Sequence, residues 1–462
     1  MIVKLHSRTH RFLAPKVLSS ILSKFLQARN KLNKQYQLHM TEPALSSANN
    51  ALMQKLTGRQ LFDKIGRPTR IVAPMVDQSE LAWRILSRRY GATLAYTPML
   101  HAKLFATSKK YREDNWSSLD GSSVDRPLVV QFCANDPEYL LAAAKLVEDK
   151  CDAVDLNLGC PQGIAKKGHY GSFLMEEWDL IHNLINTLHK NLKVPVTAKI
   201  RIFDDCEKSL NYAKMVLDAG AQFLTVHGRV REQKGQKTGL ANWETIKYLR
   251  DNLPKETVFF ANGNILYPED ISRCMEHIGA DAVMSAEGNL YNPGVFNVGQ
   301  TKNKEKIFPR VDKIIREYFQ IVKECQESKA SKTAMKSHFF KILRPFLPHH
   351  TDIRSTLATM NAKATWEEWE EQVVKPVEKV VQEIFEQPDI DIKDEITIGE
   401  KQSWGGSYRT VPYWRCQPYF RPVNGITGDK RVMQGLIDES VNKKRKADVP
   451  LESADKKKDV KA

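Results

Sequence analysis

Short apolar segments and amphipathic stretches alternate along the chain from about Arg67 to Asn292. The apolar ones are Arg70–Val76, Leu94–Leu100, Pro127–Cys133, Ala153–Gly159, Val194–Ile202, Phe223–Arg229, Val258–Asn264 and Ala282–Gly288. They are rich in Val, Ile, Leu and Phe and mostly lack polar alternation, the pattern of strands covered on both faces. Between most of them apolar residues recur at helical spacing, as in Ser79–Tyr90, Glu138–Asp149, Glu207–Ala219, Trp243–Leu253 and Pro268–Ile278. Eight strands with intervening helices predict an α/β fold, a (β/α)8 TIM barrel over residues 58–308. A doubly wound open sheet is the alternative, but no GxGxxG follows the first strand. Pro309 opens a different regime. Val311–Gln326, Ala330–Leu347, Thr351–Ala362 and Trp366–Glu386 read as helices, with Pro345, Pro348 and Pro376 as breaks, kinks or caps. They make a small all-α domain over 309–387, followed by an extended tail over 388–462.

Charge changes the picture at both ends. The first 41 residues contain no Asp or Glu, and Phe12, Leu13, Val17, Leu18, Ile21 and Leu22 recur at helical spacing among basic residues. Residues 1–57 therefore read as a basic extension with a mitochondrial targeting helix, a membrane-surface helix being the rival. The net charge of +15 favours a polyanionic partner, because each Lys or Arg on a phosphate releases counterions. Lys329, Lys332, Lys336 and Arg344 share one face of the helical domain, either a solvated face or a phosphate-tracking one. From Trp404 to Pro422 aromatic residues interleave with Arg409, Arg415 and Arg421; such a patch either stacks on bases or packs back on the body. Lys443–Lys446 and Lys456–Lys458 are basic clusters of the nuclear-import kind. No apolar run approaches the roughly 18 residues that span a bilayer. Seven cysteines without a close CxxC pair argue against a disulfide framework and against a metal site.

The informative polar residues fall at the carboxyl ends of the expected strands, where barrels of this kind place their chemistry. Cys160 follows Asn157 and Gly159 on a loop that Pro161 prevents from continuing as a strand. Gln131 ends the third strand, Lys199 and Arg201 the fifth, His227 and Arg229 the sixth. A strand interior does not tolerate Lys199 unless it meets an anion or a pocket, since burying an unpaired ammonium is costly. Gly263 and Gly288 would let backbone approach a phosphate closely.

This array resembles the tRNA-dihydrouridine synthases, flavin enzymes that reduce selected uridines of tRNA. Carrying it are Ala73-Pro74-Met75, Val130-Gln131, Asn157-Leu158-Gly159-Cys160-Pro161, Ala198-Lys199-Ile200-Arg201, Val226-His227-Gly228-Arg229, Ala261-Asn262-Gly263-Asn264 and Ala286-Glu287-Gly288. The loop Gln162–Gly171 and the run Val411–Tyr419 look like the eukaryotic branch acting on D-loop positions 16 and 17. The resemblance implies FMN as cofactor and NADPH or NADH as electron donor. It places Pro74, Met75 and Val76 along the flavin ring, and Gln131, Lys199 and His227 on its ring, ribityl chain or phosphate. Asn262, Gly263, Asn264, Ala286 and Glu287 would hold the phosphate end. Family members often carry an Arg near that last strand; here Glu287-Gly288 stands in its place, so neutralisation falls to Lys199, His227, backbone amides or another residue. Cys160 would be the proton donor, protonated at rest. Asn157, Arg201, Arg229, Lys166 and Lys167 would bind substrate, with Arg231, Lys234 and Lys237 near the mouth. Rival readings are a flavin-dependent reductase of free pyrimidines and an RNA-binding barrel without activity. The expected state is a monomer acting in nucleus and cytoplasm, with a mitochondrial pool through the N-terminal extension.

Overall fold

The computed structural model describes residues 55–300, 302–401 and 407–419. The expected targeting helix, Arg421 and the basic clusters of the tail lie outside them. Nine strands form one sheet: β1 Arg70–Val72, β2 Leu94–Tyr96, β3 Leu100–His101, β4 Leu128–Cys133, β5 Ala153–Leu158, β6 Val196–Arg201, β7 Phe223–His227, β8 Val258–Asn262 and β9 Ala282–Ser285. The order is β2-β1-β9-β8-β7-β6-β5-β4-β3, with every pairing parallel. Pairing of β2 with β4 closes an eight-stranded barrel, and the two-residue β3 extends it beside the end of β4.

Side chains alternate across each strand, so one set faces the helices and the other the barrel axis. On β5, Val154, Leu156 and Leu158 pack outward among the helices, while Ala153, Asp155 and Asn157 point in. The inward set changes character along the axis. Its lower layers are apolar, with Phe223, Val258 and Phe260 meeting Leu61 and Phe62 of a short helix, Gly58–Lys64, that plugs the barrel floor. The Phe62 ring lies 6.2 Å from Phe223 and 6.1 Å from Phe260. Burying each such ring contributes roughly 1.5–3 kcal/mol. Above them the inward positions become polar, with Gln131, Asp155, Thr197 and Thr225 partway along their strands and Asn157, Lys199, His227 and Asn262 nearer the carboxyl ends.

The strands stop earlier than the apolar runs suggested. Pro74 has no N–H for the ladder, and Asp77 then takes φ 56°. Beyond β8, Gly263 and Asn264 have φ 119° and 62°, and beyond β9 Ala286 caps a short helix, Glu287–Tyr291. Met75, Val76, Gly263, Asn264 and Ala286 are therefore loop residues at the rim, and Glu287 opens the short helix there.

The described residues from Leu56 onward form one compact unit, so the helical region is continuous with the barrel. Helices Val311–Glu324 and Lys329–Ile342 dock on helix Leu81–Arg89 through one buried carboxylate. Glu80, the N-cap of that helix, accepts from Trp83 N (3.1 Å), Tyr318 Oη (2.7 Å) and His338 Nε2 (3.0 Å). The His338 ring stacks on Trp83 at 4.1 Å. Burial works to raise Glu80, but His338 and Tyr318 outweigh it and hold the carboxyl below its ordinary value. The helix beginning at Trp366 loosens to an i→i+5 turn at Glu370–Val374 before resuming as Lys375–Phe385. Pro376 explains the slack, having no N–H to continue the ladder and a ring that crowds the preceding turn.

The described part of the tail is folded against this body. Thr397–Lys401 and Ser407–Thr410 pair antiparallel. Arg415, fully buried, donates to Asp394 (Nε to Oδ1 2.7 Å), to Phe308 O (2.9 Å) and to Glu305. Arg409 pairs with Glu269. Of the two readings of the aromatic–arginine patch, packing on the body holds for these two arginines. Among the described residues no helix is long and apolar enough to cross a membrane.

Candidate active site

Cys160 sits just past β5, and the loop that carries it is held from several sides. Asn157 Oδ1 accepts from Gly159 N (3.2 Å) and Cys160 N (2.9 Å). Arg201 Nε donates to Gly159 O (2.8 Å), and Lys234 Nζ to Pro161 O (2.7 Å). Ser172 binds Cys160 O through both its N–H (3.1 Å) and its hydroxyl (3.0 Å). The residue is only 9% exposed and packs with Cys133, Ala165 and Tyr170. Burial pushes its thiol up, against the charges of Arg201, Lys199 and Lys234, so the sulfur is protonated at neutral pH. All seven cysteines are free thiols.

Beside this loop lies a ring of buried polar groups. Lys199 faces Asn157 across the β5–β6 register and donates to Asn262 Oδ1 at 2.9 Å. Asn262 in turn donates to Met284 O at 2.8 Å, which fixes its amide. Burial, aided by the Arg201 charge, lowers Lys199 to about 7. His227 is pushed well below its ordinary value by burial and by Lys199, Arg201 and Arg229, and is neutral. Arg229 Nη1 lies 2.9 Å from His227 Nε2. A guanidinium only donates, so Nε2 is the acceptor and the ring proton resides on Nδ1. Arg229 also donates to Asn264 Oδ1 (2.9 Å) and Gly239 O (2.8 Å).

Gly263 adjoins that guanidinium. A Cβ there would stand 2.5 Å from Ala241 Cβ and 3.6 Å from Arg229 Nη1, so only glycine lets the backbone line this end. Gly288 plays another part: its Cα packs against the Ile265 carbonyl, where a Cβ would come within 2.1 Å. Pro74, Met75 and the exposed Val76 border the mouth after β1. Ala286 and Glu287 border it after β9, where the Glu287 charge couples to Lys341 of the helical region.

Of the expected substrate contacts, Lys166 and Lys167 are exposed on the helix Gly163–Gly168 next to the Cys160 loop. Arg231 and Lys234 converge on the Phe173 ring at 5.6 and 5.9 Å, and Lys237 is exposed nearby in sequence. Arg201 is largely committed, its Nη1 donating to Val230 O (2.7 Å) and Gln233 O (3.2 Å). On the helical region Lys329 pairs with Asp114 (3.3 Å), Lys332 lies over Trp366 (4.6 Å) and Lys336 donates to Ala358 O (2.6 Å). Arg344 falls just past the helix end and rests on Tyr419 (4.4 Å).

Three contributors escaped the sequence reading: Asp155, Thr197 and Ser172. Asp155 binds Gln131 (2.8 Å) and Thr197 (2.7 Å) inside the barrel. The signal for the first two was period-two spacing, since each lies two residues before a recognised inward residue, Asn157 or Lys199.

A family model described as dihydrouridine synthase matches residues 71–397. A protein of Schizosaccharomyces pombe named tRNA-dihydrouridine(16/17) synthase is 50% identical over 395 residues, covering 85% of this chain and 98% of that one. A Mus musculus protein named as similar to the 16/17 enzyme is 43% identical over 373 residues, covering 80% of this chain and 72% of its own. A second Mus musculus protein, named as similar to a tRNA-dihydrouridine(20a/20b) synthase, is 36% identical over 234 residues, half of this chain and 70% of its own.

Proposed function

Because the chain belongs to the dihydrouridine synthase family, we propose that its barrel mouth reduces the C5–C6 double bond of uridines 16 and 17 in the tRNA D-loop. It is a flavin- and NAD(P)H-dependent oxidoreductase whose substrate is tRNA. The observation that carries the site reading is a protonated, anchored thiol beside a cation-lined polar mouth.

The donor set fits FMN. Lys199 and neutral His227 with its Nδ1–H would supply hydrogen bonds for the ring and ribityl chain, and Pro74, Met75 and Val76 would border the ring, whereas Gln131, fully buried and engaged by Asp155 and Asn157, would support the site from beneath. Asn262, Gly263, Asn264, Ala286 and Glu287 would hold the phosphate end, where Arg229 would supply the guanidinium that Glu287-Gly288 does not. When bound and reduced, FMN supplies the hydride that adds to C6 of uracil.

The protein's own groups do the rest. The target uridine leaves its stack to enter the mouth. Asn157 spends one N–H on Gln131 (2.8 Å) and offers its second to the uracil edge. Lys199, protonated in part near neutrality because burial lowers it to about 7, donates to the enolate oxygen that forms as C6 is reduced. Cys160 then gives its proton to C5, a role that needs a neutral thiol. Lys166, Lys167, Arg231 and Lys237 meet tRNA phosphates around the mouth, and the helical region adds Lys329.

A Cys160→Ala variant tests the reading. It should keep its flavin and its oxidation of NADPH, while tRNA reduction falls about a hundredfold or more. Dihydrouridine formed by that variant at the wild-type rate would sink the acid role. Parallel assays on unmodified tRNA and free uracil separate this function from a small-substrate reductase.

A further inference from the structure

We infer that Asp155 is a positioning residue that sets the direction of the hydrogen-bond chain anchoring the Cys160 loop. The inference rests on the reading of Cys160 as the proton donor. Asp155 is fully buried in the barrel and lies opposite Gln131 in the β4–β5 register. One carboxylate oxygen accepts the Thr197 hydroxyl (2.7 Å) and the other accepts Gln131 Nε2 (2.8 Å). Burial raises Asp155 to about 6, opposed by those two hydrogen bonds and by Lys199, so it is ionised at pH 7.5 and only accepts.

Everything downstream follows from that one constraint. Gln131 must turn Nε2 toward Asp155, which leaves Oε1 facing Asn157. Asn157 must therefore present Nδ2 to Gln131 (2.8 Å), and its Oδ1 is left facing the loop. There it accepts the N–H groups of Gly159 and Cys160. An amide has nearly the same shape either way round, so packing alone does not choose its orientation. A flipped Asn157 would set N–H against N–H, and the loop would lose its anchor. Gln131 is 0% and Asn157 7% exposed, so little water is at hand to absorb the mismatch.

The test is an exchange of the acid and the amide in the full-length, flavin-loaded enzyme. Alkylation of Cys160 by iodoacetamide, followed by peptide mass spectrometry, and amide exchange of the 156–163 peptide both read the anchor directly. Asn157→Asp alone should raise both rates about tenfold, because its carboxylate meets Gln131 Oε1 and leaves buried acceptors facing each other. Asp155→Asn alone should change them less than about threefold, since the new amide can still offer its oxygen to Gln131 while Thr197 turns its hydroxyl to accept. Combined, the two should bring the rates back to within about threefold of wild type. The amide at 155 then donates to Gln131 Oε1, Gln131 donates to the carboxylate at 157, and that carboxylate still accepts from the loop. A space-filling role predicts additive damage instead. A combined variant as labile as Asn157→Asp, or one that fails to fold alongside it, overturns the inference. A combined variant that folds where Asn157→Asp does not supports it. These readouts do not report proton transfer, so an active Cys160→Ala enzyme would overturn the acid role and leave this result standing.

Discussion

Lys199→Met should make the flavin-free protein more stable while weakening its grip on flavin. Lys199 is 7% exposed and its pKa lies at about 7, against about 10.4 for an unfolded chain. Its folded pKa is depressed, so between those values the unfolded chain binds the extra proton and wild-type stability rises with pH. At pH 7 the ammonium costs the fold on the order of 4 kcal/mol. Methionine removes that cost but strands the buried Asn262 Oδ1, a loss of about 1–3 kcal/mol. The net gain is about 1–3 kcal/mol at pH 7, a rise of a few degrees in Tm, roughly 2–4 °C per kcal/mol. By pH 10 the gain should vanish and the variant should fall slightly below wild type. Urea or thermal melts of the flavin-free protein at the two pH values supply the comparison, and fluorescence titration should show flavin affinity reduced about tenfold or more. A variant less stable than wild type at pH 7, or a gap unchanged at pH 10, would refute the electrostatic account. The lysine is then a residue kept for function at the expense of stability.

Two further substitutions bear on the loop and the tail. Gly171 has φ 65°, and a Cβ there would stand 2.8 Å from Cys160 O and 3.0 Å from Cys160 Cβ; Gly171→Ala should lower kcat on tRNA about a hundredfold with flavin affinity retained, and an unchanged kcat would contradict the fitted loop. Arg415→Met removes the guanidinium from buried Asp394, which keeps Lys304 (2.6 Å) and Trp414 Nε1 (2.7 Å), and should cost about 1.5–3 kcal/mol in denaturant melts, with the salt dependence of tRNA binding unaltered. Intact stability with a weaker tRNA complex would instead return Arg415 to the RNA surface.

How much of this was legible in the chain depends on the distance over which each signal acts. The barrel was, because strand and helix periods are local and eight repeats of them leave few architectures. The rim residues were, because a lysine or histidine ending an apolar run stands out against its neighbours. The strand ends were not: Pro74 and the left-handed Asn264 stop the ladders, while the apolar character runs on past them. Asp155 was hidden for a related reason. β5 reads as one buried run, yet only its outward positions are uniformly apolar, and the inward ones change from Ala153 to Asp155 to Asn157 as the axis rises toward the mouth. Arg415 was undecidable from sequence, since its partners Asp394 and Glu305 lie 21 and 110 positions away and nothing local distinguishes a buried arginine from one awaiting a phosphate. The thiol is legible before the groups that hold it for the same reason. A reactive side chain announces itself by type, whereas an orienting one is an ordinary Asp or Gln whose importance lies in which of its atoms faces which neighbour. Reading such residues requires the register of β4 against β5, and that register exists only once the barrel has closed.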